Sequence, residues 1–287
     1  MKKKYMFGLL GLFAIAMVSA LVLPYLAQVQ TDVTVDASYV FVGENSSIAS
    51  GVFGGQTISS DNLSINSQTS VNIPLDISTG VNPSDEGISH TEEYILSTVG
   101  IEGHDSGIYI TAEDAGVETL DDLINMSWNV NVLSGYIAHV DVLIDTTGDG
   151  VADDALVFEY DKVDDGCGDG VPFPLGEMNT FGDKGIISDS SYAWLSSGSP
   201  GNCQGDIDYT VKTLAEWKAL DYTVIGFDVE IDNWIVESKS NVKNILINGN
   251  EVELTLKPSQ SLDFRVLTEF GLLNIGDYTI TTTVDVR

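Results

Sequence analysis

Cysteine, histidine and positive charge are all scarce in this chain. Two cysteines occur, Cys167 and Cys203, far apart and each in Gly- and Asp-rich sequence. Thiolate metal sites and redox motifs need closer spacing or added ligands, so the pair predicts one disulfide of an extracytoplasmic protein. In the chain-entropy model such a staple is worth about 4 kcal/mol. There are 12 basic residues against 43 acidic ones. That surface repels nucleic acid and anionic lipid and excludes both as partners. Only His90, His104 and His139 are available for acid–base or metal chemistry. No G-x-S-x-G or H-E-x-x-H motif is present, and the reading is of a protein that is not an enzyme. Helical periodicity is equally scarce, and no internal repeat stands out.

The positive charge that does exist is partly spent at the start. Lys2, Lys3 and Lys4 precede an uncharged stretch, residues 5–27, with a small-residue site at Val18-Ser19-Ala20. This is a secretory signal peptide or an uncleaved membrane anchor over residues 1–27. Either way, the expectation is a secreted or cell-surface protein that meets membrane only through this segment.

Most of the remainder alternates with period two. Apolar faces are set by Val71, Ile73, Leu75 and Ile77, by Trp128, Val130 and Val132, and by Ala138, Val140, Val142 and Ile144. Leu156, Phe158 and Tyr160 share a face. Phe227, Val229 and Ile231 oppose Asp228, Glu230 and Asp232, and Tyr278, Ile280, Thr282, Val284 and Val286 share a face. "NILINGNEVELTL" predicts a hairpin turning at Asn248-Gly249. Helix is expected only as short pieces: at 213–217, where Thr213 and Glu216 form a capping box, and within 111–124. The fold class is all-β, an antiparallel sandwich.

Some quoted stretches carry a resemblance. The apolar leader running into "LVLPYLAQVQTDVTVDASYVFVG", with the ending "LTLKPSQSLDFRVLTEFGLLNIGDYTITTTVDV", resembles the secreted TasA/camelysin group, archaeal relatives included. That resemblance implies one Ig-like sandwich built from both ends of the chain, and subunits that join into fibres by strand exchange. The middle, "WNVNVLSGYIAHVDVLIDTTGDGVADDALVFEY" with "SYAWLSSG", "TLAEWKAL" and "FDVEIDNWIVESKSNVKNILING", is similar to a jelly-roll module of the carbohydrate-binding kind. The implied layout is an outer sandwich over 28–110 plus 250–287, with a second sandwich, 111–249, inserted.

One loop has metal-ligand spacing. In "DTTGDGVADDAL", Asp145, Thr147, Asp149, Val151 and Asp153 fall at positions 1, 3, 5, 7 and 9 of a calcium loop, with Gly150 at the sharp turn. Position 12 is Leu156 where an EF-hand has a bidentate Glu, so the loop matches the short Asp/Gly calcium turns of extracellular modules. Read without a metal, it is an Asp-Gly hairpin turn. A second acidic group, Asp161, Asp164, Asp165 and Asp169, lacks the spacing. His139 shares a strand face with Asp141, and a hydrogen bond between them is expected. Of the tryptophans, Trp128 and Trp234 read as core, whereas Trp194 and Trp217 lie beside loops and are the sugar-stacking candidates. Sequons open at Asn45, Asn62 and Asn125.

Two functions follow from these features. One is a calcium- and disulfide-stabilised surface protein that associates with itself or with other surface proteins, as a fibre or matrix subunit. The other is a surface lectin that binds glycans.

Overall fold

The structure, a computed structural model, describes residues 39–42, 46–52, 55–84, 86–101, 105–168, 173–198, 201, 210–232, 236–271 and 276–286. The signal-or-anchor segment 1–27 lies outside them, as do Asn45, His104, Asp169, Cys203 and Trp234. No helix among the described residues is long and apolar enough to cross a membrane.

In chain order the strands are β1 (Tyr39–Val42), β2 (Ser46–Val52), β3 (Thr57–Ser59), β4 (Leu63–Ser67), β5 (Ile73–Asn82), β6 (Ile88–Ser97), β7 (Ser106–Thr111), β8 (Asn125–Ser134), β9 (His139–Asp145) and β10 (Asp154–Phe158). They continue with β11 (Gly176–Asn179), β12 (Ile187–Ser188), β13 (Tyr192–Leu195), β14 (Lys212–Thr213), β15 (Thr223–Ile231), β16 (Lys239–Ile247), β17 (Asn250–Glu251), β18 (Leu254–Leu256), β19 (Ser261–Phe270) and β20 (Gly276–Val286). Two short helices interrupt them, α1 (Ala112–Ala115) and α2 (Leu214–Lys218).

The strands form two antiparallel sheets that face each other. The first runs β1-β4-β19-β6-β16-β8-β11, with β3, β12 and β17 attached at its margins. The second runs β14-β13-β10-β9-β15-β7-β18-β5-β20-β2. Each sheet passes without a break from strands of the two chain ends to strands of the middle. The junctions are β6 on β16, with Tyr94 opposite Val242, and β7 on β15, with Ile110 opposite Phe227.

Period two explains the layering. Along β8 the residues facing inward are Met126, Trp128, Val130 and Val132, and along β9 they are Val140, Val142 and Ile144. Phe227, Val229 and Ile231 of β15 meet them from the neighbouring strand. Each such side chain contributes about 1.5–3 kcal/mol by leaving water. One apolar cluster runs from Leu63 and Phe264 through Tyr94 and Val242 to Trp128 and Phe181. Trp128 meets Phe181 edge-on, with ring centroids 5.3 Å apart. A smaller cluster joins Phe270 of β19 to Tyr278 and Ile280 of β20, closing the far end.

The short helices sit near where the sequence placed them. Thr213 caps α2 by accepting from the Glu216 backbone, and the Glu216 side chain reaches back to complete the box. The 111–124 stretch holds α1, ended by Gly116 in the left-handed region, and then a single 3-10 turn at Leu120–Asp122. The Asn248-Gly249 turn joins β16 to β17. Val71 departs from its expected inward face. It precedes β5 and is 47% exposed, while Ile73 and Leu75 are buried as the alternation requires.

Candidate metal sites

Among the described residues, two clusters of metal-ligating side chains involve strand β9, one with the loop that follows it and one with strand β15. The first is the hairpin loop between β9 and β10. Asp145 ends β9 on the outward face and is buried by the loop it organises. Its Oδ1 accepts from the backbone N–H of Thr147 at 2.9 Å and of Gly148 at 2.6 Å, and its Oδ2 from that of Gly150 at 2.7 Å. These donors hold the Asp145 carboxyl below the ordinary carboxylate range, the Gly150 N–H most strongly. Asp153 Oδ2 accepts from the N–H groups of Thr146 and Thr147, both at 3.0 Å. Asp149 Oδ1 accepts from Val151 N–H at 3.0 Å.

The turn depends on Gly148 and Gly150, at φ 79° and 84°, where a side chain would be strained. The carboxylates of Asp145, Asp149 and Asp153 each bring an oxygen within 4.8 Å of the others. Asp149 Oδ2 and Asp153 Oδ1 accept nothing from the described residues. Thr147 takes part as a backbone donor, and its Oγ1 lies 3.4 Å from Asp145 Oδ1. The Val151 side chain is 62% exposed. The loop therefore gathers three of the five expected positions as side-chain oxygens. Of the other acidic group, Asp164 pairs with Lys184 at 2.8 Å and Asp165 accepts from Cys167 N–H, while Asp169 lies outside the described residues.

The second cluster occupies the outward face of the second sheet. On β9, His139 and Asp141 are successive outward residues. On β15, Glu230 stands opposite His139 and Asp228 opposite Asp141. Outward here does not mean solvated: the side chains of His139, Asp141, Glu230 and Asp228 are 6%, 15%, 12% and 9% exposed. Lys257 is ion-paired to Asp228, with its Nζ 4.7 Å from the centre of the Tyr109 ring. Gly107 of β7 leaves the space these acids fill. A Cβ there would come within 2.7 Å of Asp228 Oδ1 and 2.9 Å of Glu230 Cβ.

The expected hydrogen bond from His139 to Asp141 is absent. Nε2 lies 3.6 Å from Asp141 Oδ1 and 4.0 Å from Glu230 Oε1, beyond hydrogen-bond reach: His139 and Asp141 are alternate residues of one strand, about 6.4–6.8 Å apart along it, and Glu230 faces His139 from β15. Burial pushes Asp141 up to about 6, against the pull of His139. It pushes Glu230 up to about 8, with Asp228 adding to the rise. Burial lowers the His139 imidazole, but Asp141, Asp232, Glu230 and Glu159 outweigh it and leave a net rise. The sequence signal for this cluster was two alternating pairs, His139-x-Asp141 and Asp228-x-Glu230. Their meeting depends on strand register.

The sugar-stacking candidates require a correction. Trp194 is 8% exposed and packs with Val157 and Val211. Trp217 is 2% exposed, its Nε1–H donates to Ala193 O at 3.0 Å, and Lys212 Nζ sits 4.5 Å from its ring centre. Tyr192 packs against the Trp194 group, and Lys212 lies over the Trp217 ring. Asn62 is exposed and Asn125 half-buried. Cys167 carries no free thiol.

No family model matches the chain, and no curated protein or solved structure does either.

Proposed function

We propose that the chain is a non-catalytic structural protein of the cell surface, a fibre or matrix subunit assembled by strand exchange. In this reading it is stabilised by calcium at the 145–153 loop and by a Cys167–Cys203 disulfide. One observation carries the reading: among the described residues, β1 closes one edge of the first sheet and β2 one edge of the second. The segment that leads into both edges is the uncharged stretch from Leu21 to Thr31, rich in Leu and Val. Exposed in water, such a tail forms an apolar patch that soluble monomers avoid. Added to a neighbour's open edge, it gives a head-to-tail contact that propagates. The TasA/camelysin resemblance supports the same mode of assembly. The three-carboxylate loop and the absence of a free thiol at Cys167 support the calcium and disulfide parts.

The experiment is negative-stain microscopy of two secreted chains, one starting at Leu21 and one at Asp32. The longer chain is expected to form filaments and the shorter to remain a folded monomer. Identical filaments from both would rule out strand donation.

A further inference from the structure

The buried group on β9 and β15 is built for an ion unlike calcium. Calcium takes six to eight oxygens and favours flexible loops. Here a nitrogen donor and two carboxylates stand where β9 begins and β15 ends, on two hydrogen-bonded strands, at positions fixed by the register His139 opposite Glu230 and Asp141 opposite Asp228. Imidazole with carboxylate is the donor set of zinc and its neighbours in the first transition row. We propose that His139 Nε2, Asp141 Oδ1 and Glu230 Oε1 bind one divalent transition-metal ion, of which zinc is the type.

Three observations converge on this assignment. First, His139 is more than nine-tenths buried, makes no hydrogen bond with the described residues, and aims Nε2 between two carboxylates. Second, Asp141 Oδ1, the oxygen facing it, is itself buried without a hydrogen-bond partner. Third, the ligand atoms already converge. The separations of 3.6 and 4.0 Å compare with about 3.3 Å between donors around a tetrahedral ion with 2.0–2.1 Å bonds. All three ligand atoms lie within 4.8 Å of one another, so side-chain adjustments on the order of 1 Å bring them round one ion.

Charge points the same way. Asp141, Asp228 and Glu230 crowd together, and Lys257 is committed to Asp228. A divalent cation would sit between the other two, and the Lys257–Asp228 pair becomes the outer support of the site. Three protein donors leave a fourth position for water or an outside ligand. Neither fibre assembly nor the calcium loop is needed for this assignment.

Cobalt tests it, because its visible absorption reports bound nitrogen and oxygen donors. The metal-stripped full chain is expected to take up one equivalent of Co²⁺, which zinc displaces and millimolar calcium does not. His139→Asn should lower the affinity more than about 100-fold, beyond the loss from removing an outer-shell partner. Asp149→Asn, in the hairpin loop, should leave the affinity unchanged. The assignment is overturned by no saturable uptake, by uptake indifferent to His139→Asn, or by uptake lost in Asp149→Asn or displaced by calcium. Should His139→Asn fail to fold, the parent chain decides by its assigned imidazole resonances. Zinc must shift those of His139; shifts confined to His90 or His104 overturn the site.

Discussion

Glu93 and Arg265 stand opposite each other on β6 and β19 and form an ion pair on the outer face of the first sheet. Glu93 also accepts from Asn241 Nδ2 of β16 at 3.2 Å. One carboxylate thus ties together three adjacent strands at the junction between the chain ends and the middle. Its side chain is 3% exposed and the Arg265 side chain 32%. Arg265→Ala removes the cation and leaves a buried charge with one neutral donor, which should cost about 2 kcal/mol or more. Urea unfolding measures this. A loss below about 0.5 kcal/mol would show that water replaces the guanidinium without penalty.

The 145–153 loop, if it is the calcium site proposed above, predicts two different responses. Asp149 is exposed and accepts one backbone N–H, whereas Asp145 accepts three. Asp149→Ala should lower the melting temperature in calcium and barely change it in chelator. Asp145→Ala should lower it in both. For the parent, calcium at tenfold its dissociation constant stabilises by about 1.4 kcal/mol. Thermal melts with and without chelator decide. A parent indifferent to millimolar calcium sinks the calcium site and leaves the loop as a hydrogen-bonded turn.

The cap of α2 predicts a pH dependence. The Thr213 backbone N–H and hydroxyl hold Glu216 below its ordinary value of 4.5. A depressed carboxyl contributes stability that is present above its unfolded value and lost as pH falls through the folded one. Thr213→Ala should therefore cost about 1 kcal/mol at neutral pH. The gap between variant and parent should shrink below about pH 4. Denaturant midpoints at pH 7 and pH 3 test this, and an unchanged gap would assign the loss to the hydroxyl alone.

Trp217 separates a core ring from a sugar platform. Trp217→Ala should destabilise by about 3–5 kcal/mol. Trp217→Phe should cost about 1 kcal/mol, from loss of the bond to Ala193 O. Chemical denaturation gives both values. A Trp217→Ala chain as stable as the parent would contradict its place in the core.

Which face of a strand points inward was legible wherever apolar and polar residues alternate cleanly. Phe227, Val229 and Ile231 are buried as read, and so are Tyr278, Ile280 and Val284. Local signals held where the chemistry is local, as at the Thr213 box and the Asn248-Gly249 turn. What covers an outward face is a different matter. Asp228 and Glu230 alternate like a solvated face, yet both are mostly enclosed, among neighbours distant in sequence such as Lys257, Gly107 and His139. The bulge between Val224 and Gly226 also resets the register that brings Glu230 opposite His139. Alternation within one strand carries no record of such a shift. Trp194 and Trp217 misled for the same reason: adjacency to a loop in sequence says nothing about what lies over the ring.

The placement of β19 and β20 governs the order in which the molecule can be completed. β19 lies between β4 and β6, and β20 lies between β5 and β2, so all four early strands take neighbours from the late part of the chain. While the chain is being made, β4, β5 and β6 have one edge open until residues beyond 260 arrive. Contacts this distant in sequence make folding slow, and unpaired edges are prone to wrong partners in the meantime. The late strands therefore act as the closing step of biogenesis, and a chain stopped short of them would expose the greatest length of unmatched backbone.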